Sequence, residues 1–403
     1  MILATWVLAA LPVFAQLSLG DAERLTAQRS ASVAQAIAGV REREAALQIA
    51  RGGAIPHLSA DYALAPQAGP FDQSVAEQHV FTVAAGISID DLLAASAASR
   101  SAASDLLAAE RDAEAAVLAA RENAVHLYFA ALEAIALERV REDALAGARR
   151  DRVAAGIRER NGDAPQLDVV RADVAVADAR ASLARARADR ADAVDALASA
   201  TGVAASSLAA LQAAPATNPA LPDPARAVAR ALAARPEIAA LLASIDARRA
   251  DADRARQSGM PAATASGGYA AGVDSGQWVR GPAVDVHVDL PLSPGTGARV
   301  EAARAALEAV RAQLADARRT IALEVASAVR DAAASQAASA AAQSARSEAE
   351  RALAAVELGY REGASSSLDV ADARRTSVQA SIDALVAQYD QASSFALLEV
   401  MVP

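Results

Sequence analysis

Gly162-Asp163-Ala164-Pro165-Gln166-Leu167-Asp168-Val169 returns about 200 residues later as Gly363-Ala364-Ser365-Ser366-Ser367-Leu368-Asp369-Val370. In each copy a glycine ends one helical stretch and Leu-Asp-Val opens another. Upstream of the two turns lie Leu92–Ala146 and Ala298–Leu358, which contain neither Gly nor Pro. At about 1.5 Å per residue these helices would extend roughly 80 and 90 Å. After the first turn, Val170, Val174, Ala177, Ala181, Ala184, Ala188 and Ala191 recur at helical spacing. After the second, Val370, Ala373, Ser377, Ala380, Ala384 and Ala387 do the same. Such narrow seams of small residues suit coiled coils that pack closely. Each turn is therefore the tip of a long helical hairpin.

Ahead of each long helix the apolar period drops from about 3.6 to 2. Leu58, Ala60, Tyr62 and Leu64 alternate with His57, Ser59, Asp61 and Ala63, and Pro66–Gln78 is a polar loop. A second strand follows over Val80–Ile89. The later half has Ala263–Val273 and then Val284, Val286, Val288 and Leu290 alternating with Asp285, His287 and Asp289. Short strands with one apolar face suit an outer-membrane barrel. Of the ten aromatics beyond residue 15, five (Tyr62, Phe71, Phe81, Tyr269, Trp278) fall in these two hairpins, as interfacial girdles require. Four strands cannot close a barrel, so several chains must share one.

The doubling extends to the helices before the strands, where Val33, Ile37, Val40, Arg51 and Pro56 recur as Ile238, Leu242, Ile245, Arg256 and Pro261. Asp21–Arg51 is expected to be one amphipathic helix. The chain divides into a signal peptide (1–15), a first repeat (16–202), a Pro-rich linker (203–225) and a second repeat (226–403). The leader rests on the apolar run Met1–Phe14 and the small residues of Val13-Phe14-Ala15. No later run approaches the roughly 18 apolar residues of a membrane-spanning helix, so a membrane would be crossed by strands.

There is no cysteine, which excludes disulfides, thiolate metal sites and a lipoprotein anchor. A net charge of -10 argues against nucleic acid as a partner. Every basic residue is Arg. Hydrophobic residues make up 54% but are mostly Ala, with 3% aromatics, which builds thin walls of closely packed helices rather than a thick core.

With this plan, the stretch Leu358-Gly359-Tyr360-Arg361-Glu362-Gly363-Ala364-Ser365-Ser366-Ser367-Leu368-Asp369-Val370-Ala371-Asp372-Ala373-Arg374 resembles the second helical tip of the TolC-like outer-membrane efflux proteins. The resemblance covers nearly all of Gln16–Pro403. It implies a mainly α fold with a small transmembrane β part: a homotrimer whose twelve-stranded barrel takes four strands per chain and continues into a periplasmic α-barrel tunnel. It also implies partners, namely a periplasmic adaptor protein at the tips, an inner-membrane pump and outer-membrane lipid. The family's acidic ring at the closed tunnel end falls on Asp369 and Asp372, and its latch tyrosine on Tyr360. The basic latch residue of some members is Ser365 here. The adaptor-docking tips fall on Gly156, Gly162, Gly359, Gly363 and Ser365, and the first tip reads as two residues longer than the second. As a plainer alternative, Asp369 caps a helix, as its repeat partner Asp168 looks to do. The repeat partner of Asp372 is Arg171.

No nucleophile elbow, His-Glu-x-x-His or Walker lysine is present. Ser293-Pro294-Gly295-Thr296-Gly297 lacks a phosphate-loop Lys and sits where a strand turns into the long helix. His57, His79, His126 and His287 are not spaced as ligands. No enzyme activity, cofactor or resident metal is expected. Three functions stay open: small-molecule efflux, the same duct serving heavy-metal export or type I protein secretion, and a soluble periplasmic coiled-coil scaffold.

Overall fold

The computed structural model describes residues 17–52, 57–67, 76–209, 211–212, 220–260, 262–274, 277–289 and 295–402. The expected leader, Phe71 and residues 210 and 213–219 of the Pro-rich linker lie outside them. The N-terminal helix is two helices, α1 (Leu19–Arg29) and α2 (Ala31–Gly52). Ser18 caps α1 by accepting from the Asp21 N–H, and Ser30 ends it in an extended conformation (φ -60°, ψ 125°). Serine tolerates that break because its hydroxyl finds local partners, here the hydroxyl of Ser32 at 2.7 Å.

β1 (His57–Gln67) and β2 (Ala76–Ser88) form an antiparallel hairpin, both longer than the alternation suggests. Residues placed in the polar loop belong to strands, and Ile89, placed in β2, opens the next helix. That helix, α3 (Ile89–Arg160), runs for 72 residues straight through Gly147 and Gly156. A lone glycine costs a helix only about 1 kcal/mol against alanine, which a long packed helix absorbs. α4 (Gln166–Thr201) returns, and a short 3₁₀ turn at Ala205–Ala209 leads toward α5 (Pro224–Ala234) and α6 (Pro236–Gln257). β3 (Ala262–Asp274) and β4 (Gln277–Asp289) form the second hairpin, followed by α7 (Thr296–Arg361) and α8 (Ser367–Met401). No helix among the described residues is long and apolar enough to cross a membrane.

The four strands form one antiparallel sheet in the order β1-β2-β3-β4, so the two repeats meet at the β2–β3 pairing. Direct partners share a face. Tyr62 stands opposite Phe81, Val83 opposite Tyr269, and Ala265 opposite Val286. On that face Leu58, Tyr62, Tyr269, Trp278, Val284, Val286 and Val288 are all exposed, Val284 at 81% and Trp278 at 79%. The alternation expected from the sequence is present, with the apolar face uncovered in the single chain.

The chain folds as two compact units that cut across the repeats. One comprises the described residues of 35–115 and 235–320, hence the sheet and its adjoining helix segments. Within it α6 buries Ile238, Ala243, Ile245, Ala247 and Ala250, and Asp251 accepts a hydrogen bond from Ser101 at 2.7 Å. The other comprises the described residues up to Ala34 with 116–234 and from 321 onward. Its core gathers Leu17, Val125, Tyr128, Phe129, Leu132, Val194, Leu197 and Leu208. Tyr128 Oη lies 3.0 Å from the Leu17 carbonyl and 2.6 Å from that of Gln212, and burial pushes its pKa up to about 12.

Burial separates the two small-residue seams. In α8 Ser377 and Ala384 are buried and Ala373 and Ala380 half-buried. In α4 the Val170–Ala191 seam is largely exposed, and the buried residues are Val176, Leu183, Val194, Leu197 and Thr201. Which face of α4 is covered within one chain depends on what packs alongside it, since Val170 and Val174 are exposed while Val176 and Val194 are buried.

Candidate functional site at the helical tips

Both tips belong to the second unit, and their backbones match. Helix α3 ends at Arg160 and α4 begins at Gln166, while α7 ends at Arg361 and α8 begins at Ser367. The intervening turns are therefore equal in length, which corrects the expectation of a longer first tip. The Asp163 N–H bonds back to the Arg158 carbonyl at 2.8 Å, and the Ala364 N–H to the Gly359 carbonyl at 2.7 Å. Gly162 and Gly363 take φ of 81° and 78°. This is the Schellman ending, in which the left-handed residue is glycine because a Cβ would clash there.

The matched geometry also reassigns Gly156. It is a buried residue inside α3 rather than part of the turn, and the true counterpart of Gly359 is Arg158. Gly359 itself answers to a close approach, since a Cβ there would stand 2.6 Å from the Ser365 hydroxyl.

With Ser365 at the position of the basic latch residue that the resemblance implies, Tyr360, the latch candidate, finds its cation elsewhere. It meets Arg158 of the first tip, whose guanidinium carbon lies 4.1 Å from the ring centroid. A cation over an aromatic face is attracted by the ring quadrupole. Sequence reasoning missed Arg158 because a residue aligned to a glycine in the other repeat carries no signal of its own.

The two acidic candidates differ. Asp369 occupies the third position of α8 in a capping box: its Oδ2 accepts from the Ser366 N–H and hydroxyl, both at 2.8 Å, and its own N–H donates to Ser366 Oγ. The backbone bond from Ser366, followed by its side-chain bond, holds the Asp369 carboxyl below the usual aspartate range. Ser366-x-x-Asp369 is a pattern visible in the sequence. The same cap role was expected of Asp168, but Pro165 stands at the cap position of α4 and offers no side-chain bond. Asp168 is left with Arg171 at 3.8 Å. Asp372 is exposed and pairs with Arg375, one turn on along α8. In the single chain Asp369 is thus a hydrogen-bonded carboxylate and Asp372 one partner of an ion pair. Among the described residues, no group of three or more His, Cys, Asp or Glu is placed to hold a metal ion.

The molecule combines a matched pair of helical hairpins, an open four-stranded sheet and an internal doubling. The family model described as Outer membrane efflux protein matches residues 24–203 and again 227–402. The chain belongs to that family. Among solved structures it superposes on a membrane protein from Pseudomonas aeruginosa with a TM-score of 0.83 at 21% identity, covering 95% of this chain and 90% of that one. Against the Campylobacter jejuni CmeC outer membrane channel the TM-score is 0.82 at 18% identity, covering 95% and 85%. Against the outer membrane protein VceC of Vibrio cholerae it is 0.80 at 21%, covering 95% of each. Comparison with curated protein sequences gives no match. The fold is that of the outer-membrane efflux channels, mainly α with a small β part. As a family these proteins are channels.

Proposed function

We propose that this chain is the exit duct of a tripartite efflux system, passing small molecules from a periplasmic adaptor and inner-membrane pump to the exterior, and catalysing no reaction. One observation carries the reading: the chain's sheet has two open edges, β1 and β4, and an uncovered apolar face, in the same chain as paired long helices. Open edges need partners, and three copies supply enough strands to close a barrel around an aqueous lumen. The exposed Val170, Val174 and alanine seam of α4 offers the helical counterpart, a surface that a neighbouring copy can cover. The helices then continue the lumen as a periplasmic tunnel, and the tips around Gly162 and Gly363 face the adaptor.

At the tunnel end, Asp369 and Asp372 from each copy form an acidic entrance that favours cations. Their helical spacing puts them on neighbouring positions of α8. The test is single-channel conductance of the detergent-purified protein in planar bilayers. Wild type should show a small, cation-selective conductance blocked by multivalent cations, which oxygen-rich anionic sites bind. Asp369→Ala/Asp372→Ala should lose selectivity and block. Unchanged selectivity would reduce Asp369 to its cap and move the entrance filter elsewhere. A protein extracted without detergent that forms no pore would instead be the soluble scaffold.

A further inference from the structure

Arg374, next but one to Asp372 on α8, is placed quite unlike the arginine beside it. Arg375 is 81% exposed and, among the described residues, pairs within its own helix, whereas the Arg374 side chain is 23% exposed and reaches two other helices. Its Nη2 donates a short hydrogen bond to Glu357 Oε1 on α7. Its Nε lies 2.9 Å from Asp151 Oδ2 on α3, an ion pair whose N–H is turned away from a hydrogen bond. Room for the guanidinium comes from α3 itself: a Cβ at Gly147 would stand 3.0 Å from Nη1 of Arg374. Gly147 therefore has a reason to stand within α3 that the sequence does not display. A planar guanidinium can address two carboxylates on different helices at once, which an ammonium cannot.

We propose that Arg374 is a positioning residue for the channel entrance: seated against Gly147 and held between Asp151 and Glu357, it ties the first turns of α8 to α3 and α7 and so fixes where Asp369 and Asp372 stand. The inference rests on the exit-duct reading for its functional consequence but not for the contact itself. Neither capping at Ser366 nor the Asp372–Arg375 pair can supply this restraint, since both act within α8 and its own N-terminus. Arg374 joins α8 to its neighbours.

The test uses the full-length detergent-purified protein with Arg374→Gln, Arg374→Lys and Gly147→Leu, and Arg346→Ala as control, an exposed residue paired with Glu350 on α7. Gly147→Leu keeps every charge and favours the helix, yet fills the guanidinium's seat, and the atom it meets is the end of a flexible side chain that can yield. Hydrogen exchange over residues 367–377 should accelerate in Arg374→Gln and Gly147→Leu and stay at the wild-type rate in Arg346→Ala. In bilayers the same two variants should show raised conductance and loss of cation selectivity, with Arg374→Lys between them and wild type. Wild-type exchange in both Arg374→Gln and Gly147→Leu overturns the proposal. If Arg374→Gln fails to assemble, Gly147→Leu decides alone. Faster exchange with selectivity unchanged also overturns it, because the contact would then be structural only. A wild-type protein that forms no pore sinks the exit-duct reading and, with it, the entrance role.

Discussion

The guanidinium of Arg158, on the last turn of α3, lies over the ring of Tyr360, on the last turn of α7, 4.1 Å from its centroid. The contact joins the two tips through residues that are not repeat partners of each other, so it breaks the twofold likeness of the hairpins where they meet. A partly exposed pair of this kind contributes about 0.5–1 kcal/mol. Arg158→Ala and Tyr360→Leu should each speed hydrogen exchange in the turn at 161–165, and the double variant should add nothing further. Additive effects in that double-mutant cycle would show that the two residues act independently.

The equivalence of the two Schellman endings gives a second expectation. Gly162→Ala and Gly363→Ala place a Cβ in the left-handed region and should each destabilise the local turn by about 1–2 kcal/mol. Asn, which tolerates that region, should restore most of the loss at both positions. The readout is local opening by hydrogen exchange, and unequal responses at the two tips would contradict the shared geometry. Gly156→Ala, inside α3, has no positive φ to strain and should not loosen the turn.

On the sheet, Val286 and His287 are neighbours on opposite faces of β4. Val286 stands opposite Ala265 on the apolar face and His287 opposite Thr264 on the other. Val286→Arg should cost about 2–4 kcal/mol if that face meets lipid near the midplane, and so deplete the protein from outer-membrane fractions. His287→Arg should leave those fractions unchanged. Equal tolerance of both would mean that the apolar face does not meet lipid.

Much of this was legible because the period of the apolar residues is a backbone property. The switch from 3.6 to 2 at His57 located β1, and Gly162 and Gly363 located the turns. Boundaries were less legible, because strands continue past the last apolar residue as long as a partner strand runs alongside, as Ala76 does opposite Gln67. The seams of α4 and α8 look alike in sequence, yet one is covered within the chain and one is not, since burial depends on what packs alongside. Arg158 and Arg374 were invisible among so many arginines on exposed helices. Their distinction lies in partners 202 and 17 or more residues away, Tyr360 in one case and Glu357 and Asp151 in the other.

Two carboxylates near the tips, Asp369 and Asp151, should respond to pH with opposite sign. Asp369 is held below the ordinary aspartate value by its bonds from Ser366. Its contribution to the start of α8 is therefore present above that ordinary value and is lost as pH falls through the lowered one. Asp151 is displaced the other way. Burial raises its carboxyl most, the Glu357 carboxylate adds to this, and Arg374 and Arg150 only partly offset them. A group that binds its proton more tightly in the packed state favours that state as pH falls. Mild acid should thus strengthen the contact among α3, α7 and α8, even though it neutralises one partner of an ion pair, because Arg374 keeps its hydrogen bond to Glu357. Hydrogen exchange over residues 367–377, corrected for its intrinsic pH dependence, should slow as pH drops through the raised Asp151 value toward the ordinary aspartate value. It should quicken again only at the more acid pH where Asp369 is protonated. Asp151→Asn should remove the slowing and leave the acid quickening, while Asp369→Ala should do the reverse. Exchange that quickens steadily from neutral pH downward would show that the Asp151–Arg374 attraction outweighs the cost of burying the carboxylate.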